Sequence, residues 1–224
     1  MSQHFPQNIA SKSLTVRHFG IEPYKPVWRA MQSFTHNRTQ QTKDEIWLLQ
    51  HQPVFTQGQA GKAEHVLTPG DIPVVQVDRG GQVTYHGPGQ LVAYIFIDLA
   101  RNKLGIRDLV TALETVLIAT LAEFGVLAHA RADAPGVYVG DRKIASLGLK
   151  VNREKSYHGL SLNVLGNMEP FRRINPCGYS GLEMVKLEEL APGASIDAVS
   201  TKLLNHLMLL LGYGIRKDAP GFPP

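Results

Sequence analysis

The only cysteine of the chain lies where it could act as a nucleophile. Cys177 stands between Pro176 and Gly178, in the sequence INPCG. One cysteine cannot form an internal disulfide, so Cys177 is either a small buried apolar residue or a reactive thiol. Only a few per cent of an ordinary cysteine thiol is ionised at neutral pH, so catalysis requires a neighbour that favours the thiolate. That neighbour is usually a histidine, and otherwise a lysine, an arginine or a helix N-terminus.

Lys143 is a candidate for this neighbour. It begins an alternating segment, 143–151, that is typical of a strand. Two unit charges 4 Å apart interact by about 4 kcal/mol at an effective dielectric of 20, before desolvation is subtracted, which is enough to favour a thiolate. Spacing alone does not bring Lys143 to Cys177, however. From spacing alone, a solvated lysine at the end of a strand explains the pattern better.

A glycine-rich segment could hold a ligand. It reads RGGQVTYHGPGQ at 79–90, with apolar runs at 72–77 and 91–97 on either side. Glycine allows positive φ and the close approach of other groups. The alternative is a glycine-rich hairpin connection whose polar residues face water, but a plain turn needs only two or three special residues. We therefore expect this segment to face a ligand, between two buried strands.

Composition and charge indicate one domain and leave several kinds of partner open. The chain has 224 residues, of which 43% are hydrophobic and 19% charged, as in ordinary globular proteins. No apolar run is long enough to span a membrane and residues 1–20 do not resemble a signal peptide, so we expect a cytoplasmic protein. The net charge of +4 and the pI of about 9.2 suit nucleic acid or an acidic protein partner. The nine histidines show no close ligand spacing, and we expect no metal site.

Hydrophobic periodicity predicts a single α+β domain over 1–224, a mixed sheet with flanking helices, with loose termini at about 1–13 and 213–224. Strands are expected at 14–19, 44–51, 73–78, 90–98, 136–139, 143–151 and 157–164. Helices are expected at about 23–42, at 106–124, at 184–190 behind a capping-box spacing in 180–183, and at 196–211. Residues 52–70 are expected to form a loop over the sheet, in which 55–58 either line a ligand pocket or belong to the surface.

Three segments together resemble the signatures of the lipoyl(octanoyl) transferases. They are RGGQVTYHGPGQ at 79–90, KIASLG at 143–148 and INPCG at 174–178. Further segments that resemble this family are PVFTQG at 53–58, RADAPG at 131–136 and HGL at 158–160. The resemblance runs in order over about 14–212, which makes it specific. It implies the fold of the biotin and lipoate protein ligase catalytic domains.

The resemblance also implies roles for individual residues. Cys177 is similar to the nucleophile that carries the acyl group as a thioester, and Lys143 to the residue that favours its thiolate and exchanges protons. The segments that would bind the acyl substrate contain Arg79, Gly80, Gly81, Gln82, Val83, Thr84, Tyr85, His86, Ser146, Leu147, Gly148, Gly159, Leu160 and Ser161. Ser161 departs from the alanine more usual in the family, and a hydroxyl beside an apolar chain would weaken contacts slightly.

The activity implied by this family is transfer of an octanoyl (or lipoyl) group from acyl carrier protein to a lysine of lipoyl domains. The acceptors would be the lipoyl domains of 2-oxoacid dehydrogenase complexes and the glycine cleavage H protein. No cofactor, nucleic acid or membrane partner is implied, and no ATP, since one thioester is exchanged for another before the amide forms. Three alternatives stay open: a lipoate or biotin protein ligase that uses ATP, a cysteine-dependent thioesterase, and a basic module that binds nucleic acid.

Overall fold

The chain folds around an eight-stranded sheet. The structure, a computed structural model, describes residues 12–223. Its strands are β1 (Ser13–Glu22), β2 (Asp44–His51), β3 (Val54–Gln57), β4 (Val74–Gln76), β5 (Val83–His86), β6 (Gln90–Phe96), β7 (His129–Ala130), β8 (Val137–Val139), β9 (Arg142–Asn152), β10 (Lys155–Asn163) and β11 (Ile215–Ala219). Its helices are α1 (Tyr24–Asn37), α2 (Leu99–Asn102), α3 (Ile106–Ala122), α4 (Leu187–Leu190) and α5 (Ile196–Leu211), with 3₁₀ turns at Ala63–His65, Glu169–Arg173 and Pro176–Gly178.

The large sheet is mixed, and a smaller sheet accompanies it. The order of the large sheet is β11-β1-β2-β6-β10-β9-β8-β7. Strand β1 runs parallel to β11 and β2, and the other neighbours are antiparallel. The smaller sheet has the order β4-β3-β5. This architecture confirms the expected α+β domain with a mixed sheet and flanking helices.

Alternation along the central strands separates two hydrophobic cores. In β2, Ile46 and Leu48 belong to the larger core with α3 and α5, whereas Trp47 and Leu49 belong to the core beneath α1. Strand β6 repeats the same alternation. Successive side chains of a strand point to opposite faces, so strands covered on both sides become apolar throughout. The large sheet is therefore buried on both faces at its centre, and it offers a rigid support for a site.

The expectation of a loose C-terminus at 213–224 is wrong. Strand β11 pairs with β1, from Ser13↔Ile215 to Arg17↔Ala219. Phe222 stacks on Phe19 with ring centroids 4.5 Å apart. The charged sequence of β11 suits a solvent-exposed edge strand, and its order depends on a partner at the opposite end of the chain. Of the loose leader expected at 1–13, residues 1–11 lie outside the described part, and Ser13 already belongs to β1.

The capping-box spacing at 180–183 does not begin a helix, because the residues after it bond to the start of β9. The Lys143 N–H donates to Glu183 O at 2.9 Å, and the Val185 N–H donates to Lys143 O at 3.0 Å. These bonds keep the backbone of 183–185 extended, so that α4 begins only at Leu187. They also hold Lys143 in place from the side opposite to its strand neighbours.

Residues 52–70 are not only a loop. Strand β3 lies within them as the central strand of the small sheet, and its Phe55 and Thr56 are fully buried. The two alternatives for 55–58, pocket lining or surface loop, are therefore both wrong. The segment instead lies behind the cavity described next and supports it.

Candidate active site

A cavity of about 300 Å³ lies over the face of the large sheet that α1 covers, beside the segment 79–86. It is lined by Tyr24, Arg79, Gly80, Gly81, Gln82, Val83, Thr84, His86, Val92, Tyr94, Ala134, Pro135, Ser146, Leu147, Gly148, Leu149, His158, Gly159, Leu160, Ser161, Cys177 and Tyr179. All the residues expected to bind the acyl group line it except Tyr85. The Tyr85 ring packs between Phe55 and Phe171, with centroid distances of 5.6 and 5.4 Å, so it supports β5 from behind.

Cys177 and Lys143 meet at one end of this cavity. The Lys143 Nζ lies 3.0 Å from the Cys177 Sγ and donates a hydrogen bond to Pro135 O at 2.8 Å. Lys143 is only 1% exposed, whereas Cys177 is half-buried. The fold therefore places the amine of a buried lysine at hydrogen-bond distance from the sulfur of a cysteine that lines the cavity. The solvated lysine that spacing alone favoured is therefore not what the fold produces.

Gly136 makes the room that Lys143 occupies. Its φ is +143°, and a Cβ there would lie 2.4 Å from Lys143 Cε and 2.7 Å from Ala145 O. The Gly136 N–H is also fixed, since it donates to Glu114 Oε1 at 3.0 Å. Any side chain at this position would push the ammonium away from the sulfur.

The substitution Gly136→Ala is expected to lower acyl transfer about 10²-fold, because misplacing a catalytic group by about 1 Å costs that much. We expect a loss of about 1–3 kcal/mol in the free energy of unfolding from the overpacked Cβ. The control is Gly125→Ala, where φ is +75° and no atom lies within 4 Å of the added Cβ. This control should lose stability and keep its transfer rate. Equal activity in both variants would show that the room at Gly136 does not matter.

The candidate nucleophile, Cys177, stands in a tight turn with an unusual backbone. Cys177 has φ of +56° within the 3₁₀ turn Pro176–Gly178. The turn is held by the Asn175 N–H, which donates to His65 O at 2.8 Å, and by the Tyr179 hydroxyl, which donates to Asp133 O at 2.8 Å. A left-handed conformation is costly for a residue other than glycine and persists only where its surroundings impose it. Here it presents the sulfur to both the cavity and Lys143.

Arg79 is a buried cation without a carboxylate partner among the described residues. Its guanidinium donates to Thr56 O at 2.6 Å, to Thr56 Oγ1 at 2.9 Å and to Gly80 O at 2.9 Å. Burial lowers the pKa of Arg79. A Cβ at Gly58 would lie 2.8 Å from its Nη1 and one at Gly148 would lie 3.1 Å from its Cδ. These two glycines therefore make room for Arg79, and its hydrogen-bond acceptors come from Thr56 on strand β3 and from Gly80.

Two neutral histidines belong to this region: His86 lines the cavity, and His51 lies next to it. His86 Nδ1 lies 2.6 Å from Gln90 Oε1, and His51 Nε2 lies 2.6 Å from the Tyr94 hydroxyl. Burial lowers the pKa of His86 to about 3 and that of His51 to about 4. Both imidazoles are uncharged at neutral pH and act as hydrogen-bonding supports of the wall. An imidazole with so low a pKa is a weak base, and His86 stays a candidate binding residue.

Stability is expected to fall as the pH is lowered from about 6.5 to 4.5. An unfolded histidine has a pKa near 6.5, whereas those of His51 and His86 are lowered to about 4 and about 3. In this interval the unfolded chain binds more protons, so acid favours unfolding, by up to roughly 3 kcal/mol for each fully buried imidazole. Urea denaturation at pH 7, 5.5 and 4.5 measures the slope, which is how steeply the free energy of unfolding falls as the pH is lowered. His51→Gln should flatten it while the exposed-site control His129→Gln should not, and an unchanged slope in both would contradict the prediction.

His158 was not identified from the sequence, although it begins the HGL segment. Its φ of +58° turns it to the same face as Tyr157, on which it stacks at 5.0 Å, so the alternation of a regular strand is broken. His158 Nε2 lies 2.9 Å from Asp78 Oδ1. Burial raises the pKa of Asp78, but hydrogen bonds from His158, Tyr157 and Trp28 together outweigh it and hold that pKa below its ordinary range. The aspartate therefore stays ionised beside the cavity.

Other lining residues were also missed. Ala134 and Pro135 belong to the RADAPG segment that resembles the family, so a signal existed for them. Tyr24, at the start of α1, and Val92 and Tyr94, on β6, gave no such signal. Their side chains look like ordinary core residues in the sequence, and only the packing of α1 and the small sheet against β6 brings them to the cavity.

No helix among residues 12–223 combines the length and apolarity that crossing a bilayer requires. Over the same residues, His, Cys, Asp and Glu form no group of three or more that could hold a metal ion.

The fold and the site define the class of protein to which the chain belongs. Residues 23–208 match the family model described as the lipoyl protein ligase A/B catalytic domain. A bi-partite lipoate protein ligase from Thermoplasma acidophilum superposes with a TM-score of 0.75 at 14% identity, covering 94% of this chain and 88% of that one. The biotin protein ligase from Aquifex aeolicus superposes with a TM-score of 0.52 at 11% identity, covering 88% and 68%. At these identities the structural likeness shows the fold alone.

Sequence similarity places the chain within this class. An octanoyltransferase from Hahella chejuensis is 60% identical over 212 residues, which cover 95% of both chains. An octanoyltransferase from Pectobacterium atrosepticum is 57% identical over 217 residues, covering 97% of this chain and 94% of that protein. The chain belongs to the octanoyltransferase family. This confirms the resemblance drawn from the glycine-rich, lysine and cysteine segments.

Proposed function

We propose that the chain transfers an octanoyl (or lipoyl) group from acyl carrier protein to a lysine of lipoyl domains, with the acyl group held as a thioester on Cys177. The observation that carries the proposal is the 3.0 Å contact between Lys143 Nζ and Cys177 Sγ at one end of the cavity. Nucleophile and supporting cation thus meet where an acyl chain placed in the cavity would present its carbonyl carbon. Membership in the octanoyltransferase family supports the same reaction.

In the first half-reaction the Cys177 thiolate attacks the carbonyl carbon of the octanoyl thioester. A new C–S bond forms, the C–S bond to the carrier breaks, and the carrier thiolate leaves and takes up a proton. One thioester replaces another, so the step is nearly isoenergetic and needs no ATP. Lys143 stabilises the attacking anion as an ammonium and then gives a proton to the departing carrier thiolate, so it stands beside the acylated sulfur as a neutral amine that can accept a proton in the next step.

In the second half-reaction the neutral ε-amine of the acceptor lysine attacks the acyl-enzyme. The amide C–N bond forms, the C–S bond to Cys177 breaks, and the sulfur leaves as a thiolate that again pairs with Lys143. The acceptor amine must give up a proton, and we assign its transfer to Lys143, which lies within hydrogen-bond distance of the leaving sulfur. An amide is more stable than a thioester, so this step is downhill.

The remaining lining residues are proposed to bind the acyl chain. Burial of a hydrocarbon contributes about 0.8 kcal/mol for each methylene, so an octanoyl chain gains several kcal/mol from an apolar slot. Gly80, Gly81 and Gly148 line this slot, and their lack of a side chain lets the acyl chain approach the backbone closely. The Ser161 hydroxyl faces the same cavity, and we expect it to weaken binding of the chain slightly.

The proposed partners are acidic proteins. The net charge of +4 favours encounter with acyl carrier protein as donor and with lipoyl domains as acceptors. Among these acceptors we include the lipoyl domains of 2-oxoacid dehydrogenase complexes and the glycine cleavage H protein.

A transfer assay without ATP tests the proposal against the ligase alternative, which the shared fold makes the nearest rival. Wild type, octanoyl-carrier protein and a lipoyl domain are mixed, and the lipoyl domain is weighed by mass spectrometry. We expect octanoylation of one lysine without ATP, and no modification when free octanoate and ATP replace the donor. Modification that requires octanoate and ATP, and that persists in Cys177→Ala, would establish a ligase instead. Release of free octanoate without any acceptor would establish a thioesterase.

A further inference from the structure

Attack by Cys177 on an acyl group places negative charge on the carbonyl oxygen, and the group that stabilises this charge has not been assigned above. Lys143 already donates to Pro135 O and to the Cys177 Sγ. Within the nucleophile turn, the Gly178 N–H donates to Asn175 O and the Tyr179 N–H donates to Pro176 O. The Gly178 and Tyr179 N–H groups are therefore occupied, and a donor from outside this turn can serve the oxyanion.

We infer that the side-chain amide of Gln82 is this donor. The inference rests on the proposed function and deepens the general binding role given to Gln82 above. Gln82 lines the same cavity as Cys177. Its Cγ and Cδ lie 3.2 and 3.4 Å from the point that a Cβ on Gly178 would occupy, so the amide packs against the residue that follows the nucleophile.

A hydrogen bond determines which end of this amide faces Lys62. The Lys62 N–H donates to Gln82 Oε1 at 3.2 Å. A backbone N–H can only donate, so the atom it contacts must be the amide oxygen, and the NH₂ group is on the other side of the amide carbon. Among the hydrogen bonds of residues 12–223, the Gln82 amide takes part in one, which its oxygen accepts from Lys62. The two N–H donors of a residue that lines the cavity are thus not committed to another protein group.

One short segment positions both the donor and the nucleophile. Lys62 holds the Gln82 oxygen, and His65, three residues later, accepts the Asn175 N–H at 2.8 Å with its carbonyl oxygen. The 3₁₀ turn Ala63–His65 connects these two contacts. Donor and nucleophile are therefore set relative to each other before substrate binds, which is the arrangement that makes an oxyanion donor effective.

Two variants remove the donors in different ways. Gln82→Met keeps the length of the side chain and has no N–H, and Gln82→Glu keeps an oxygen for Lys62 but replaces the NH₂ by a second oxygen. We expect the rate constant for acylation of Cys177 by octanoyl-carrier protein to fall about 10²–10³-fold in both, as for loss of one oxyanion donor. The KM for the donor should change less than about threefold, since the lost contact belongs to the transition state. Gln59→Glu is the matched control, because this exposed residue lies in the same part of the chain and should leave the rate unchanged.

Alkylation of Cys177 by iodoacetamide separates catalysis from structure, because that displacement forms no oxyanion. We expect alkylation of both Gln82 variants at the wild-type rate while acylation is slow. Acylation at the wild-type rate in Gln82→Met would overturn the inference, and so would a parallel loss of alkylation, which would indicate a displaced sulfur. A wild-type enzyme that forms no thioester at all would overturn the proposed function and this assignment together.

Discussion

Lys143→Ala is expected to slow the acylation of Cys177 about 10³-fold, within the range found for the loss of an acid–base group. The Lys143 Nζ lies 3.0 Å from the sulfur in a site where Lys143 is 1% exposed. Two opposite charges about 4 Å apart attract by about 4 kcal/mol at an effective dielectric of 20, before the cost of desolvating them is subtracted. Without the ammonium, the thiolate loses this attraction and the acceptor amine loses its proton acceptor.

The measurement is single-turnover acylation by octanoyl-carrier protein, followed by mass over a range of pH. The rate of Lys143→Ala should rise with pH, because hydroxide then supplies the thiolate that the ammonium no longer favours. Lys143→Met fills the space of the lysine side chain without its charge, and its acylation rate should fall as much as that of the alanine variant. Lys150→Ala, on the same strand, is the control and should keep its rate. A Lys143→Met variant that acylates normally would remove the lysine from the mechanism.

Cys177→Ser is expected to abolish transfer, with a loss of at least about 10⁴-fold. A serine hydroxyl is almost entirely protonated at neutral pH and is a weak nucleophile unless a base activates it. Among residues 12–223, the sulfur has one hydrogen-bond partner, the Lys143 ammonium, and an ammonium stabilises an existing anion but has no lone pair with which to take a proton from an alcohol. The oxygen would therefore stay neutral beside Lys143.

The comparison is made in the same transfer assay, with the free energy of unfolding measured in parallel. The exchange of sulfur for oxygen at a half-buried position should change stability by less than about 1 kcal/mol, so a loss of activity cannot come from unfolding. Cys177→Ala should be equally inactive. Transfer by the serine variant within about tenfold of wild type would mean that the sulfur is not the atom that carries the acyl group.

The local pattern of the sequence was sufficient to predict the helices and strands that are stabilised mainly by residues close in the chain. Helix α5 occupies Ile196–Leu211, as its apolar spacing predicts, and strands β9 and β10 lie where strands were expected at 143–151 and 157–164. In each case periodicity and flanking turn residues act over a few positions. Tertiary contacts then confirm a preference that already exists locally.

Elements that depend on distant partners could not be predicted in this way. Strand β11 is ordered by β1, and the extended backbone at 183–185 is ordered by Lys143. In both cases backbone hydrogen bonds to a remote segment override the local signal, which favoured a loose tail and a capped helix. His158 was missed because its positive φ breaks the alternation on which strand prediction rests.

The candidate site lies on elements that the local pattern predicts, but the contact between its two main residues depends on distant parts of the chain. The spacing of Lys143 and Cys177 favoured a solvated lysine, and the family resemblance alone predicted that the two would act together. Their contact depends on the glycine at 136 and on the bonds between β9 and residues 183–185, none of which has a local signature. The resemblance to the family thus predicted that Lys143 and Cys177 act together, which the spacing of the two residues alone did not.

The central claim is that an acyl group resides on Cys177 between donor and acceptor. The most direct test mixes wild type with octanoyl-carrier protein, without a lipoyl domain, and measures the intact mass and then the mass of its peptides. We predict one octanoyl group on the peptide that contains Cys177, removed by hydroxylamine and passed to a lipoyl domain when that domain is added. Transfer that proceeds with no adduct on this peptide, or with an adduct that the lipoyl domain does not discharge, would contradict the account.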